Sequence, residues 1–226
     1  MHDVVKNYPR VSDELIRKYA AVDESSSINE SLSVNGALPC DFRPVWPEQR
    51  MVGRAFTVRA GPSDNLILHK AITMLSPGDV LVAACDGFLE AGGMWGGLMS
   101  QAAKTRGAAG LVTDGSVRDT VMMKRISFPV WSRGIGVKSS TKRLGGRINH
   151  PITIGGVLVN PGDLVFGDND GVVAVPREQA EAVLEKALRR EAQEEETLKR
   201  VMDDGTHIFF SSILHETYAK LGLSEE

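Results

Sequence analysis

The chain has 226 residues and a formal net charge of −3, from 26 basic and 29 acidic side chains. A chain of this length suits one domain, and it buries roughly 70% of its extended surface on folding. The near balance of charge excludes an overall field that attracts nucleic acid, so an acidic substrate needs a local basic site.

Targeting and cross-linking signals are absent from the sequence. Cys40 and Cys85 lie far apart and lack the spacing of a zinc site, which argues against a disulfide framework. The opening residues MHDVVKNYPR lack the apolar core of a signal peptide, and no apolar run has the length of a membrane span. We therefore expect a cytoplasmic protein with no membrane and no nucleic-acid partner.

The first elements are short helices followed by a strand. The pattern predicts a helix over residues 11–22, where Ser12 can cap the first turn. A polar run then leads into a second short helix or turn, and residues 35–50 indicate an irregular loop. A strand over 52–59 and a helix from about 66 to 75 follow.

A short unit of turn, strand and turn occurs twice. Residues 77–87 and 161–171 both open with Pro-Gly-Asp and both reach an Asp-Gly pair at the same offset. Since Pro-Gly-Asp is common turn chemistry, this is either coincidence or a sign of paired β-units around one core. Either way it favours a β-rich sandwich with helices over a nucleotide-binding βαβ array.

A glycine-dense stretch opens the segment that carries the chemistry. Residues 92–97 contain four glycines and precede a helix that begins at Leu98 and stops at Gly107. A short buried strand over 109–112 then ends at an Asp114-Gly115 turn.

This segment predicts a site for two kinds of ion. A helix start offers unpaired N–H groups and a positive dipole end, which bind carboxylate or phosphate. Arg118 and Asp119 follow the strand, at the edge where α/β sheets hold ligands, so Asp119 can hold a cation. The alternative is that the glycines serve tight turns and that Arg118 and Asp119 are a solvated surface pair.

The remainder of the chain is β-rich and then helical. Short strands are predicted on either side of a turn within 128–137, followed by a polar loop over 138–150 that is either a basic rim or solvated surface. Residues 151–159 and 163–175 are of β-type. A long helix over 178–204 and another over 207–223 end the chain, and the charged tip of the long helix suggests packing on a neighbouring subunit.

The stretch WGGLMSQAAKTRGAAGLVTDGSVRD, together with SPGDVLVAA and NPGDLVFGDNDGVVAVP, resembles the RraA-like family. The resemblance implies an α/β fold, the RraA-like swivelling β/β/α sandwich, as a single domain over residues 1–226. It also implies N-terminal helices at about 11–35, and C-terminal helices at about 178–223 that pack on a neighbouring subunit. The assembly is then a homotrimer or a dimer of trimers.

The resemblance further implies a metal-dependent lyase of the pyruvate aldolase type. Such an enzyme cleaves 4-hydroxy-4-methyl-2-oxoglutarate-like acids, decarboxylates oxaloacetate, or does both. Asp119 would hold Mg2+ or Mn2+, and Arg118 would bind the oxygens of the 2-oxo acid substrate. Glu194 would complete the site across the interface, with Glu191, Glu195 and Glu196 as competitors or, like it, plain surface residues. The backbone around the helix start would hold the substrate carboxylate, at Gly96, Gly97, Leu98 and Met99.

One departure bears on the reaction. The aldolases carry an aspartate upstream of their Arg-Asp pair, and counting back from Arg118 places it at Gly97. Asp86 or Glu90 would have to replace it in proton transfer, whereas oxaloacetate decarboxylation needs no base for a hydroxyl proton. The alternatives are a non-catalytic binding protein that regulates a partner such as a ribonuclease and, more remotely, a methyltransferase.

Overall fold

The computed structural model describes residues 3–87, 89–204 and 215–223. Its helices are α1 (Asp13–Tyr19), α2 (Ser25–Ser31), α3 (Leu66–Ile72), α4 (Gly97–Thr105), α5 (Thr120–Arg125), α6 (Ala180–Asp204) and α7 (His215–Leu221). Its strands are β1 (Arg43–Pro44), β2 (Met51–Arg59), β3 (Asp79–Ala84), β4 (Gly93–Trp95), β5 (Gly110–Val117), β6 (Val130–Ile135), β7 (Arg147–Ile148), β8 (Ile152–Ile154), β9 (Val157–Val159), β10 (Leu164–Gly167) and β11 (Val172–Val175).

The main sheet has the order β1-β6-β5-β3-β2-β10-β11, with β4 beside β5 and β7 beside β2. Strands β2, β3, β5 and β6 are parallel, whereas β10 and β11 run antiparallel at one side. Every residue of β3 and β5 is buried, as expected for central parallel strands covered on both faces. The carboxyl ends of the parallel strands therefore meet at one edge, which carries the candidate site.

Three apolar clusters surround the sheet. Helices α3, α4 and α5 cover one face, and the β8–β9 hairpin packs on the other. Helices α1, α2 and the first half of α6 cover the β10–β11 end, where Tyr19 donates a hydrogen bond from its hydroxyl to the Ala180 carbonyl at 2.7 Å. The arrangement confirms the α/β fold class, with a layer of helices, a curled sheet and a second β layer.

The repeated Pro-Gly-Asp unit is a structural repeat. Asp79 accepts a hydrogen bond from the Ser76 amide, and Asp163 accepts one from the Asn160 amide, each at 2.8 Å. The intervening glycines have φ of +83° and +86°, a region that favours glycine. The two units lead into β3 and β10, which lie on opposite sides of β2.

Several sequence-based expectations differ from the structure. The sequence predicts a β-rich sandwich with helices rather than a nucleotide-binding βαβ array, but strands β2, β3, β5 and β6 are parallel and are linked by helices in βαβ fashion. The Asp114-Gly115 pair was expected to end the strand, but β5 continues to Val117. The buried Asp114 carboxylate can stay inside the sheet because it accepts a hydrogen bond from the Cys85 amide.

The C-terminal region agrees with the prediction where it is described. Helix α6 spans Ala180–Asp204. The second predicted helix, 207–223, falls partly outside the described residues, and α7 covers its end at His215–Leu221. Among the helices that the structure describes, none is long and apolar enough to cross a membrane.

Candidate active site

The start of α4 and the Asp119 side chain approach each other at the carboxyl edge of the sheet. The Asp119 Oδ2 atom accepts a hydrogen bond from the Gly97 amide at 3.1 Å. A Cβ atom at Gly96 would lie 2.7 Å from the same oxygen, so glycine is needed there for space. The carboxylate thus lies where the helix dipole stabilises negative charge.

Arg118 and Asp119 occupy the turn between β5 and α5. Asp119 has φ 62° and ψ 36°, a left-handed conformation that aspartate tolerates better than most residues. The Arg118 amide donates to the Trp95 carbonyl at 2.9 Å, and its Nη1 donates to Ser139 Oγ at 3.2 Å. The side chains remain 40% and 51% exposed, with Arg118 Nε 3.9 Å from Asp119 Oδ2, so both can contact a ligand.

The predicted anion-binding N–H groups lie in the first turn of α4. These groups have no partner within a helix, and Asp119 already takes that of Gly97. The amides of Leu98 and Met99 are therefore the two in this turn that remain available to a ligand, and a Cβ atom at the preceding Gly96 would lie 3.6 Å from Arg118 Nε. The Met99 side chain is buried, and its sulfur lies 3.6 Å from Asn65 Nδ2. Only the backbone of Met99 is therefore available to the site.

Met122 fills the space beside Gly97, and sequence reasoning missed it. A Cβ atom at position 97 would lie 2.5 Å from Met122 Sδ and 2.9 Å from Met122 Cβ. An aspartate at 97 therefore fits only if Met122 moves. The signals for α5 were present, because a residue of cap type at Asp119 precedes a run that ends in Lys124 and Arg125.

The acidic residues proposed to replace an aspartate at 97 are engaged elsewhere. The Asp86 carboxylate pairs with Arg59. The Glu90 carboxylate lies 3.3 Å from the Lys138 ammonium. The structure brings neither carboxylate into contact with Asp119.

The four glutamates of α6 have different partners. Glu191 accepts hydrogen bonds from the Asp23 and Glu24 amides, both at 2.9 Å, and so caps the start of α2. Glu194 pairs with Arg190 at 2.9 Å, and Arg190 also pairs with Glu30. Glu195 and Glu196 form pairs one turn along the helix, with Lys199 and Arg200. Within this chain, Glu194 lines a groove with Asp23 and Leu198, apart from the Arg118–Asp119 corner.

The donor set at Asp119 suits a hard cation that keeps most of its water. Across the described parts of the chain, no three His, Cys, Asp or Glu side chains form a group that could hold a metal ion. One carboxylate with retained waters is how Mg2+ is often bound. The Asp119 side chain is half-exposed, so its carboxylate is accessible to such an ion.

Most of the chain is similar to known proteins. Residues 9–174 match the model of the RraA-like family, described as Aldolase/RraA. A Halalkalibacterium halodurans protein named "Putative 4-hydroxy-4-methyl-2-oxoglutarate aldolase" is 37% identical over 80% of this chain and 85% of its own length.

Solved structures agree with the fold. An uncharacterized protein from Pseudomonas syringae has a TM-score of 0.77 and 28% identity, over 88% of this chain and 93% of its own. Streptomyces coelicolor RraAS2, described as an unusual member of the RNase ES inhibitor RraA protein family, has a TM-score of 0.75 and 28% identity. That match covers 84% of this chain and 100% of the other.

Proposed function

Because the chain belongs to the RraA-like family, we propose that it is a metal-dependent lyase that releases pyruvate from a 2-oxo acid. The single observation that carries this proposal is the corner formed by Asp119, Arg118 and the start of α4. It brings one half-exposed carboxylate and one planar cation, from the turn between β5 and α5, beside two backbone donors of the first turn of α4. Such a set can bind a cation and a small keto acid together.

The residues of the corner have separate roles in the proposed reaction. Removing CO2 from oxaloacetate, or a carbonyl fragment from a 4-hydroxy-2-oxo acid, leaves the enolate of pyruvate, which a proton then converts to pyruvate. The amides of Leu98 and Met99 hold the pyruvyl carboxylate, and Arg118 forks onto its oxygens. Mg2+ or Mn2+, held by Asp119, would supply Lewis-acid stabilisation of the negative charge that develops on the keto oxygen.

A glycine at position 97, where the aldolases carry an aspartate, favours decarboxylation over aldol cleavage. Aldol cleavage must remove a proton from the substrate hydroxyl, and the neighbouring thioether of Met122 cannot accept one. Decarboxylation needs no such base. We therefore propose oxaloacetate decarboxylation as the more robust activity, with aldol cleavage of 4-hydroxy-4-methyl-2-oxoglutarate-like acids as the weaker one.

The site is proposed to be completed by a second copy of the chain. Leu98 and Val121 flank Asp119 and are 80% and 74% exposed, an apolar rim unusual beside a charged site. The distal half of α6 carries exposed Leu198 and Met202 beyond Glu194. Contact between these surfaces in a homotrimer or dimer of trimers would bring Glu194 to the neighbouring subunit's Asp119.

The test compares two aspartates that share a backbone geometry. Asp86 and Asp119 both follow a parallel strand with φ near 60°, have similar exposure and lie beside an arginine. Pyruvate release from oxaloacetate with Mg2+ or Mn2+ is followed through a coupled dehydrogenase, with chelator and protein-free controls. We expect Asp119→Asn to lower kcat/KM by about 10³-fold or more, and Asp86→Asn to change it by less than about threefold. Metal-dependent pyruvate release that persists in Asp119→Asn would refute the role of Asp119.

A binding role is the second candidate, supported by the same apolar rim. The RraAS2 protein is described as belonging to a family of RNase ES inhibitors, and a rim of Leu98 and Val121 suits a protein partner as well as a second subunit. Pyruvate release that is absent, or that chelator does not affect, would favour this candidate.

A further inference from the structure

We propose that Asp64 and Asn65 are positioning residues that hold both walls of the anion site, although neither touches it. Asp64 fixes residues 138–146, named here the support loop, on which the Arg118 side chain rests. Asn65 fixes β4 to the start of α4. The kinetic part of this inference rests on the proposed function, whereas its structural part does not.

Asp64 is the anchor of the support loop. Its carboxylate is buried, with the residue 1% exposed, and Oδ2 accepts hydrogen bonds from Thr141 Oγ1 at 2.7 Å and from the Arg143 amide at 2.5 Å. Oδ1 accepts from the Leu66 amide at 3.0 Å, which ties the same carboxylate to the start of α3. The backbone reinforces this contact, because the Thr141 amide donates to the Ser63 carbonyl at 2.7 Å.

The pKa of Asp64 is consistent with this anchoring role. Burial raises the pKa, but the hydrogen bonds from Thr141 and from the backbone of the support loop and α3 outweigh burial and hold the pKa below its usual value. The carboxylate is therefore ionised at neutral pH. Hydrogen bonds to an ionised acceptor are stronger than those to a neutral one, so the loop is held firmly.

The support loop transmits this anchoring to the site. The Gly93 amide donates to the Lys138 carbonyl at 2.8 Å, and Ser140 Oγ donates to the Gly93 carbonyl at 3.1 Å. The loop thus holds β4 at Gly93 from both its amide and its carbonyl. Ser139, between these two contacts, accepts the hydrogen bond from Arg118 Nη1.

The Arg118 side chain also rests on the strand that the loop supports. A Cβ atom at Gly93 would lie 2.9 Å from Arg118 Cβ and Cγ, so the arginine stem lies directly over the Gly93 backbone. A shift of β4 or of the support loop therefore moves the guanidinium.

Asn65 holds the opposite wall. Its Nδ2 donates to the Met94 carbonyl at 3.0 Å and lies 3.6 Å from the Met99 sulfur, joining β4 to the first turn of α4. The residue is 6% exposed, and its backbone amide also donates to the Thr141 carbonyl of the support loop at 3.0 Å. Adjacent residues thus set the distance between the guanidinium and the helix amides, the two groups proposed to grip one carboxylate.

The experiment uses variants Asp64→Asn and Asn65→Ala, with Asp163→Asn as the matched control. Asp163 is also buried and accepts hydrogen bonds from two backbone amides, Asn160 at 2.8 Å and Arg177 at 3.1 Å, in the turn before β10. Thr141→Val, which removes one of the loop contacts alone, serves if Asp64→Asn fails to fold. Amide hydrogen exchange and the steady-state constants for oxaloacetate are measured on each variant.

We expect exchange to rise at residues 138–146 and at Gly93 in Asp64→Asn, and at 93–99 in Asn65→Ala, but at neither segment in the control. The KM should rise about tenfold or more in both site variants while kcat changes little, because small displacements of binding groups weaken ligand contacts. A rise in exchange confined to 138–146 with unchanged KM, or an equal KM rise in Asp163→Asn, overturns the inference. If the wild-type protein releases no pyruvate, the proposed function fails, and exchange at Gly93 alone decides the positioning role.

Discussion

Gly97 and Met122 form a pair in which the absence of one side chain makes room for the other. With Met122 Sδ 2.5 Å from the position of a Cβ at 97, any larger residue forces the methionine out of its place. Small-to-large changes at such contacts cost typically 1–3 kcal/mol. The departure at position 97 is therefore a packing feature of the α4–α5 contact as well as a missing carboxylate.

We predict that Gly97→Ala lowers the free energy of unfolding by about 1–3 kcal/mol. Met122→Ala removes the sulfur and Cγ that crowd the new methyl group. In the double variant Gly97→Ala/Met122→Ala, the loss of unfolding free energy should differ from the sum of the two single losses. The difference, which is the coupling energy, should be on the order of 0.5–3 kcal/mol. Urea unfolding of the wild type, the two single variants and the double variant measures this coupling energy. Strictly additive losses would contradict the contact between position 97 and Met122.

The two cysteines should differ sharply in reactivity. Burial and the nearby Asp114 carboxylate raise the pKa of Cys85 to about 12, and its thiol is 1% exposed, whereas Cys40 is exposed. Since the thiolate is the reactive form, a pKa of about 12 leaves roughly one thiol in 10⁴ ionised at pH 8.

We therefore expect a thiol reagent at pH 8 to label one cysteine in the native protein and both in denaturant. Mass spectrometry of the modified chain gives the count. The variant Cys40→Ser should be unlabelled until it unfolds, and rapid native labelling of this variant would show that the chain around Cys85, at the end of β3, opens readily.

At the scale of the element, α6 has two functional halves. Its first half is apolar, with Ala180, Val183 and Ala187 buried in the cluster that covers β10 and β11. Glu191 marks the end of this half, where its carboxylate caps α2. Beyond it the ion pairs described run along the helix itself, and this is the half that is proposed to contact a neighbouring chain.

This division predicts opposite effects for neighbouring glutamates. Glu191→Ala should destabilise the chain by about 1 kcal/mol, because two backbone amides lose their acceptor, and should leave pyruvate release nearly unchanged. Glu194→Ala should leave stability nearly unchanged, because an exposed pair on a helix contributes little, but should lower kcat at least about tenfold. Thermal unfolding and the coupled assay separate the two, and an activity loss confined to Glu191→Ala would reassign the role.

The elements that local chemistry specifies were predictable from the sequence. Ser12 accepts a hydrogen bond from the Leu15 amide at 3.1 Å, as its cap position indicated. Gly107 has φ +85° after α4, as a helix stop requires. The Pro-Gly-Asp turns likewise follow from short-range hydrogen bonds. Each of these features depends on residues within a few positions of one another.

The elements that depend on distant partners were not predictable in the same way. Asp114 resembles a turn residue, and its hydrogen bonds from the backbone just after β3, at Cys85 and Gly87, explain why it lies within β5. Met122 lies beside Gly97, and Ser139 accepts a hydrogen bond from Arg118. Both contacts join residues that are distant in sequence. The Arg118–Asp119 corner was predicted, but the support around it requires knowledge of the fold.

At the scale of the whole molecule, the site lies at an edge that one chain leaves open. Asp119 is half-exposed, its neighbours Leu98 and Val121 project outward, and Glu194 lies on a different part of the same chain. These features agree with a site shared between subunits, which the proposed function requires. If the site is shared, defects in Asp119 and in Glu194 on different chains can complement each other.

We predict that two inactive variants regain activity when mixed. In a randomly mixed trimer of Asp119→Asn and Glu194→Ala chains, a site is intact only where an unaltered Asp119 faces a neighbour with an unaltered Glu194. Every trimer that contains both kinds of chain has a single such site among its three, so about a third of the sites should be active after purification through both tags. The variants are co-expressed with different tags, purified through both tags in turn, and assayed for pyruvate release. Mixed assemblies that stay as inactive as either parent would show that Glu194 acts within its own chain or has no catalytic role.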